Sequence, residues 1–217
     1  DNIVKFVRFQ LSTNIGAILT VLGAPLFGFP TPFTAIQILW VNIIMDGPPA
    51  MTLGIEPARD GIMNARPRAA DATILTNQRL LRLGLYGLTM AAGTLLAYAW
   101  GERHGGPEYA MTMAFTTFVL FQFFNIFNAR AEFQSAFNGN FFSNGKLWLA
   151  ILGVIGLQFV VVHWGPAQSI FDTVDLSLAD WGRAAAIASS VLLLDELRKL
   201  GIWIYGKLGR KTQQPQE

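Results

Sequence analysis

WVNIIMDGPPAMTLG, residues 40–54, places an aspartate, a glycine and two prolines inside a run that is otherwise apolar enough to cross a bilayer. Pro48 and Pro49 have no N–H to offer the carbonyls of Ile44 and Met45, and a residue before proline, here Gly47, is pushed away from helical dihedrals. The helix is therefore expected to break at Gly47-Pro48-Pro49 and to free those two carbonyls. Lipid penalises unsatisfied backbone oxygens, and such breaks are tolerated where they line a cavity that a cation can use. An ionisable side chain at bilayer depth costs at least ~2.5 kcal/mol and marks ion or proton paths. Asp46 is the one acidic residue expected deep in any span. Asn42, four residues earlier, falls on the same face of a regular helix, so an amide oxygen and a carboxylate point one way. A plain proline kink, or an aspartate capping a helix at the interface, would leave that pairing unexplained.

Working outward, the chain has 217 residues, 52% hydrophobic and 14% charged, against roughly 25% charged in soluble domains. Six apolar runs reach the ~20 residues that span a hydrocarbon core: about 9–29, 33–53, 80–100, 110–129, 147–165 and 183–205. The expected fold is an all-α integral membrane domain of six transmembrane helices over residues 1–212, the second one broken, with a short tail at 213–217. The opening DNIVKFVR is charged and helix-like, which excludes a signal peptide and reads as a helix entered partway. The longest polar stretch, GIEPARDGIMNARPRAADATILTNQR, lacks the apolar periodicity of a soluble core and reads as a connector. Gly16, Gly23, Gly84, Gly87 and Gly93 give small-residue spacings that let helices approach closely. There are no cysteines, hence no disulfide frame and no thiolate metal site.

Charge placement sets the expected topology. Of sixteen Lys and Arg, only Arg103 and Arg183 fall on one side of the membrane; all others cluster at the opposite ends of the spans. The positive-inside rule then puts both ends of the segment, and the connectors near 54–79 and 130–146, in the cytoplasm, with the turns near 28–32, 101–109 and 166–182 outside. Juxtamembrane cations of this kind serve topology and anionic lipid, so the bilayer is a partner and nucleic acid is not. The expected location is the bacterial plasma membrane.

Further candidates are polar residues within spans. Asn14 lies in the STN of the first; Gln122 and Asn125 share a face of the fourth, with Asn128 beyond, and packing polarity is the plainer role for these three. His104 and His163 sit at outer ends and form no metal cluster. Every donor near Asp46 is a hard oxygen, which suits Ca²⁺, Mn²⁺ or Mg²⁺. Calcium takes six to eight oxygens. Asp46, Asn42, Asn14, the carbonyls of Ile44 and Met45, and Gln122 as the weakest member make an incomplete set with one negative charge. Another carboxylate is expected from polypeptide outside this sequence.

ILWVNIIMDGPPAMTLGIEP, with RPR downstream, resembles the sixth transmembrane helix and following loop of P-type calcium-transporting ATPases. RFQLSTNIGA is similar to their fifth helix, and FQFFNIFNAR with FNGNFFSN to their eighth helix and its loop, so the resemblance covers helices five to ten and nearly the whole chain. It implies that Asn42 and Asp46 are calcium ligands and that Asn14 matches a fifth-helix ligand. Two-site pumps carry a glutamate where Ala17 stands, a threonine where Met45 stands and a glutamate where Gln122 stands. Those departures resemble the secretory-pathway and plasma-membrane pumps that carry one calcium per cycle, and MDGPPA is most like the secretory-pathway class, which also moves manganese. The resemblance further implies ATP and Mg²⁺ as cofactors, and a fourth helix, phosphorylation, nucleotide and actuator domains as partners. The phosphorylated DKTGT aspartate and the fourth-helix PEGL carboxylate have no counterpart in this sequence, so no catalytic residue is expected in it and the chain alone is not expected to hydrolyse ATP. A pump for Mn²⁺, Na⁺ or H⁺, an ATP-independent cation/proton antiporter using Asp46, and a non-transporting membrane scaffold remain the alternatives.

Overall fold

A computed structural model describes residues 2–57, 74–132 and 134–211 of the chain; the tail expected at 213–217 and the RPR motif lie outside them. All regular secondary structure among the described residues is helical. α1 (Asn2–Gly23) runs into a 3-10 turn, Ala24–Phe27. α2 (Ala35–Trp40), a π turn (Val41–Met45) and α3 (Gly47–Gly54) form one interrupted pass. α4 (Asn77–Arg130), α5 (Gly145–His163), the short α6 (Gly165–Phe171) and α7 (Leu178–Lys211) complete the chain.

α4 has 54 residues, about 80 Å if straight and far more than a bilayer needs. It doubles back at Gly106, whose φ of 80° and ψ of −172° suit glycine, immediately before Pro107. Its two arms pack against each other so tightly that a Cβ on Gly101 would sit 2.7 Å from the Ala110 Cα. The turn expected over 101–109 is therefore a one-residue reversal. With α4 counted as two arms, six passes result, as the apolar runs predict. Among the described residues, three helical stretches are long and apolar enough to cross a membrane: Asn2–Phe27, Asn77–Arg130, which folds back on itself at Gly106, and Gly145–His163. The pass through Asp46 is cut into short pieces, and α7 carries Asp195, Glu196, Arg198 and Lys199 in its second half.

The core is built on α4. Met90, Tyr98, Phe115, Phe118 and Phe121 from its two arms are wholly buried together with Met45 of the π turn and Val191 of α7. Without a water-driven hydrophobic term between lipid-embedded helices, close van der Waals approach holds such a bundle. Gly87 is where α1 comes nearest: a Cβ there would lie 2.5 Å from Ile15 Cγ2 and 3.0 Å from the Gly16 backbone nitrogen. Gly84, expected to share this role, faces open space.

Ionic groups gather at one end. Glu132, just past α4, accepts a two-pronged pair from Arg79 (2.9 and 3.0 Å) and a third bond from Arg82 (3.3 Å), with Arg8 of α1 at 3.5 Å. Glu56, just past α3, accepts from Arg130 (2.8 Å) and Asn144 (2.7 Å), with Lys5 at 3.9 Å. In α7, Asp195 is fully buried and takes the Tyr86 hydroxyl, Arg198 (2.7 Å) and Lys199 (2.9 Å). The opposite end carries Arg183, paired with Asp180 at 2.7 Å and stacked 4.7 Å from the Trp100 ring centroid. There His163 lies between Asp175 (3.0 Å) and the Trp181 indole N–H (3.2 Å), and His104 stacks on Trp100 at 4.2 Å. Among the described residues, Arg8, Arg79, Arg82, Arg130, Arg198 and Lys199 thus join these carboxylate clusters, and Arg183 lies apart from them with Asp180 and Trp100.

Candidate functional site

Thr34 and Gln37 form a reciprocal capping box that starts α2, and Gln37, fully buried, also donates to the Phe171 carbonyl at 2.7 Å. Trp40 donates to Gln158 of α5 at 3.1 Å. So anchored, the chain enters the π turn, where the Asp46 N–H bonds the Val41 carbonyl five residues back at 2.9 Å. One extra residue is wound into the turn, a feature that concentrates at functional sites.

This moves the break. Gly47 is helical, and Pro48 and Pro49 occupy the first turn of α3, where a missing N–H is harmless and φ is already suitable. Asp46 itself keeps right-handed helical dihedrals (φ −82°, ψ −40°). The irregularity expected at 47–49 is therefore at 41–46, one turn earlier, and the prolines begin a helix there. The chemistry of the Ile44 and Met45 carbonyls is unchanged: the residues four ahead of them have no N–H.

Asp46 is 1% exposed. Its Oδ2 accepts from the Thr13 hydroxyl of α1 at 3.2 Å, and its Oδ1 has no hydrogen-bond partner. Thr13, also 1% exposed, lies within reach of the Gln10 (2.9 Å) and Phe9 (3.1 Å) carbonyls as well. Next to it Ser12 accepts from Asn125 Nδ2 at 2.7 Å, tying α1 to the second arm of α4. A buried carboxylate with an orphaned oxygen thus follows directly on two residues whose carbonyls face proline-blocked positions, which gathers hard oxygen acceptors in one corner.

Asn42 and Asn14 are exposed, and no hydrogen bond joins either to Asp46 among the described residues. Asn42 is exposed where Asp46 is buried, and the turn between them is a π turn instead of the regular helix assumed for their shared face. Gln122 is 3% exposed with both amide atoms unpartnered. It lines a cavity of about 20 Å³ with Met45, Pro49, Phe9 and Ile151, near the π turn. Asn125 and Asn128 make interhelical bonds, to Ser12 and to the Val191 carbonyl (2.9 Å), the packing role read for them. Ser12 and Thr13 were not singled out by the sequence. They stood in the same STN as Asn14, and small hydroxyls inside a span were the available signal.

The fold and this corner define a class: a polytopic helical membrane domain with a buried carboxylate, Asp46, on an interrupted pass. Residues 30–201 match the family described as "Cation transporting ATPase, C-terminus", and the chain belongs to that family. It is 39% identical over 201 residues to calcium-transporting ATPase type 2C member 1 of Mus musculus, covering 92% of this chain and 22% of that protein. It is 40% identical over 203 residues to calcium-transporting ATPase type 2C member 2 of Rattus norvegicus, and 38% identical over 200 residues to calcium-transporting ATPase 1 of Schizosaccharomyces pombe. Each alignment takes in 92% of this chain and 21% or 22% of the relative, so the chain spans about a fifth of the length of these relatives. The protein is an integral membrane protein. These relatives are eukaryotic and lend no support to the bacterial plasma membrane expected from the sequence.

Proposed function

We propose that this chain is the membrane part of an ATP-driven divalent-cation efflux pump, with Ca²⁺ the transported ion, one ion carried per cycle and protons returned. The relatives named above are calcium-transporting ATPases, and the missing four fifths of their length is where the fourth helix and the phosphorylation, nucleotide and actuator domains belong, with ATP and Mg²⁺. The observation that carries the reading is Asp46, buried with one oxygen unpartnered beside a proline-interrupted π turn. Asp46 is the charged ligand and the carbonyls of Ile44 and Met45 its neighbours. Asn42 and Asn14 are neutral ligands on surfaces this chain leaves exposed, which favours completion of the site by helices from outside it. Gln122, with its unpartnered amide, is the weakest member of the set.

Both ends of the segment are cytoplasmic in this reading, since the Glu56, Glu132 and Asp195 clusters gather the cations at one end. The test uses the full-length pump. Asp46→Asn should abolish calcium-dependent phosphorylation by ATP while phosphorylation by inorganic phosphate, which needs no cytoplasmic cation, survives. A normal calcium-dependent phosphoenzyme in that variant removes Asp46 from the site.

A further inference from the structure

We propose that Thr13 is a positioning residue for Asp46: its hydroxyl holds Oδ2 against α1, so that Oδ1 alone is presented to the transported ion. This rests on the pump reading and adds to it how the carboxylate is oriented. Among the described residues, Thr13 is the one side chain that hydrogen-bonds Asp46, at 3.2 Å, and both residues are 1% exposed. Among the described residues, neither Asn42 nor Asn14 hydrogen-bonds the carboxylate, and Oδ1 is without a partner. An unpinned carboxylate turns freely about its last torsion and can offer either oxygen or both. A pinned one binds through one oxygen, leaving a coordination position for a carbonyl, an amide or water.

Two further features fit a releasable pin. The Thr13 hydroxyl has one proton and three acceptors in range, Asp46 Oδ2, the Gln10 carbonyl (2.9 Å) and the Phe9 carbonyl (3.1 Å). It can let go of Asp46 and still be satisfied within its own helix. The turn that carries it is braced from the other side, because Ser12 accepts from Asn125 (2.7 Å) and bonds the Arg8 carbonyl (2.8 Å). Asn125, Ser12, Thr13 and Asp46 thus form a line from α4 through α1 to the π turn. Thr20 supplies a contrast on the same helix: it is fully buried, but among the described residues its hydroxyl bonds only the Gly16 carbonyl, at 2.7 Å.

The experiment measures calcium dependence of phosphorylation by ATP in the full-length pump. Thr13→Val keeps the shape and removes the hydroxyl. It should raise the half-saturating calcium concentration about tenfold, the effect of one hydrogen bond to a charged group, with the maximal phosphoenzyme level and phosphorylation by inorganic phosphate unchanged. Thr13→Ser should return half-saturation to near the wild-type value, and Thr20→Val should leave it there. Wild-type half-saturation in Thr13→Val, a lowered maximum with unchanged half-saturation, or failure of Thr13→Ser to rescue overturns the proposal. Should Thr13→Val give no phosphoenzyme from inorganic phosphate, Thr13→Ala replaces it with the same expected shift. Asp46→Asn separates the two levels. If it retains calcium-dependent phosphoenzyme, the pump-site reading fails. If it loses it while Thr13→Val behaves as wild type, the role of Thr13 alone fails.

Discussion

Glu132 holds together three parts of the chain that are far apart in sequence, and removing its charge is a direct measure of that end of the bundle. Arg79 grips it with two bonds, Arg82 with one, and Arg8 of α1 lies 3.5 Å away, while the Glu132 side chain is 12% exposed. Glu132→Gln keeps the shape but leaves three guanidiniums facing one another. Breaking a buried ion pair by removing one partner costs ~3–5 kcal/mol. Arg79 and Arg82 are about a fifth exposed, so the low end, about 3 kcal/mol, is the expected loss. In a domain of this size that corresponds to a fall in Tm of about 6–12 °C.

The pH dependence gives a second, signed readout. Burial alone would raise the Glu132 carboxyl, but the hydrogen bond from Arg79 and attraction to Arg8, Arg79 and Arg82 outweigh it and hold it below the usual carboxylate range. A depressed carboxylate stabilises fully above its unfolded pKa, ~4.3, and that contribution disappears as pH falls through the lower folded value. Thermal unfolding of the detergent-solubilised protein should therefore show a constant difference between wild type and Glu132→Gln at neutral pH that closes under acid conditions, below ~4. A neutral-pH shift under about 2 °C, or a difference that persists unchanged in acid, would refute the reasoning.

Other expectations follow from the same geometry. Single cysteines placed at Gly105 and Gln168 should react with membrane-impermeant reagents from outside, and those at Gln78 and Asn138 only after permeabilisation; external labelling at Asn138 reverses the orientation. Gly87→Ala forces a methyl group into Ile15 and the Gly16 backbone and should destabilise by ~1–3 kcal/mol, read as a lower Tm in detergent. Asp195→Asn should also lower Tm, since Arg198 and Lys199 lose their shared negative charge and one of the two acceptor oxygens becomes a donor, yet leave half-saturation by calcium unchanged. With Ala17, Met45 and Gln122 where two-site pumps carry further oxygens, the complete pump should move one calcium per ATP. Counting both in the same reconstituted vesicles checks this, and a ratio near two would require a second site.

The passes were legible because length and apolarity belong to each helix separately. Leu, Ile, Phe and Val over twenty residues decide a span whatever its neighbours do. The reversal was legible only as a turn near 101–109, where one apolar run ends and the next begins; its placement at Gly106 came from the fold. Asp46 stood out because a carboxylate among apolar residues is conspicuous without knowledge of any partner.

What escaped the sequence depends on azimuth, the direction in which a residue leaves its helix. The bond from the Asp46 N–H to the Val41 carbonyl makes this turn wider than the regular helix that periodicity assumes, and the fold leaves Asn42 exposed while it buries Asp46. Nothing in VNIIM announces a π turn; it arises because Pro48 and Pro49 withhold the next N–H groups while α2 is fixed from outside, by Gln37 on Phe171 and Trp40 on Gln158. The same limit hid Thr13, whose importance comes from facing Asp46 across the gap between α1 and the interrupted pass. It also hid Glu56, Glu132 and Asp195, which hydropathy counts as span ends and the fold uses as centres. In each case the decisive partner lies between 33 and 109 residues away along the chain. Such pairings become visible only when every helix has a neighbour, which is why the proposed ion site was read from the sequence as a set of residues, while the fold shows Asp46 buried against Thr13 with Asn14 and Asn42 exposed.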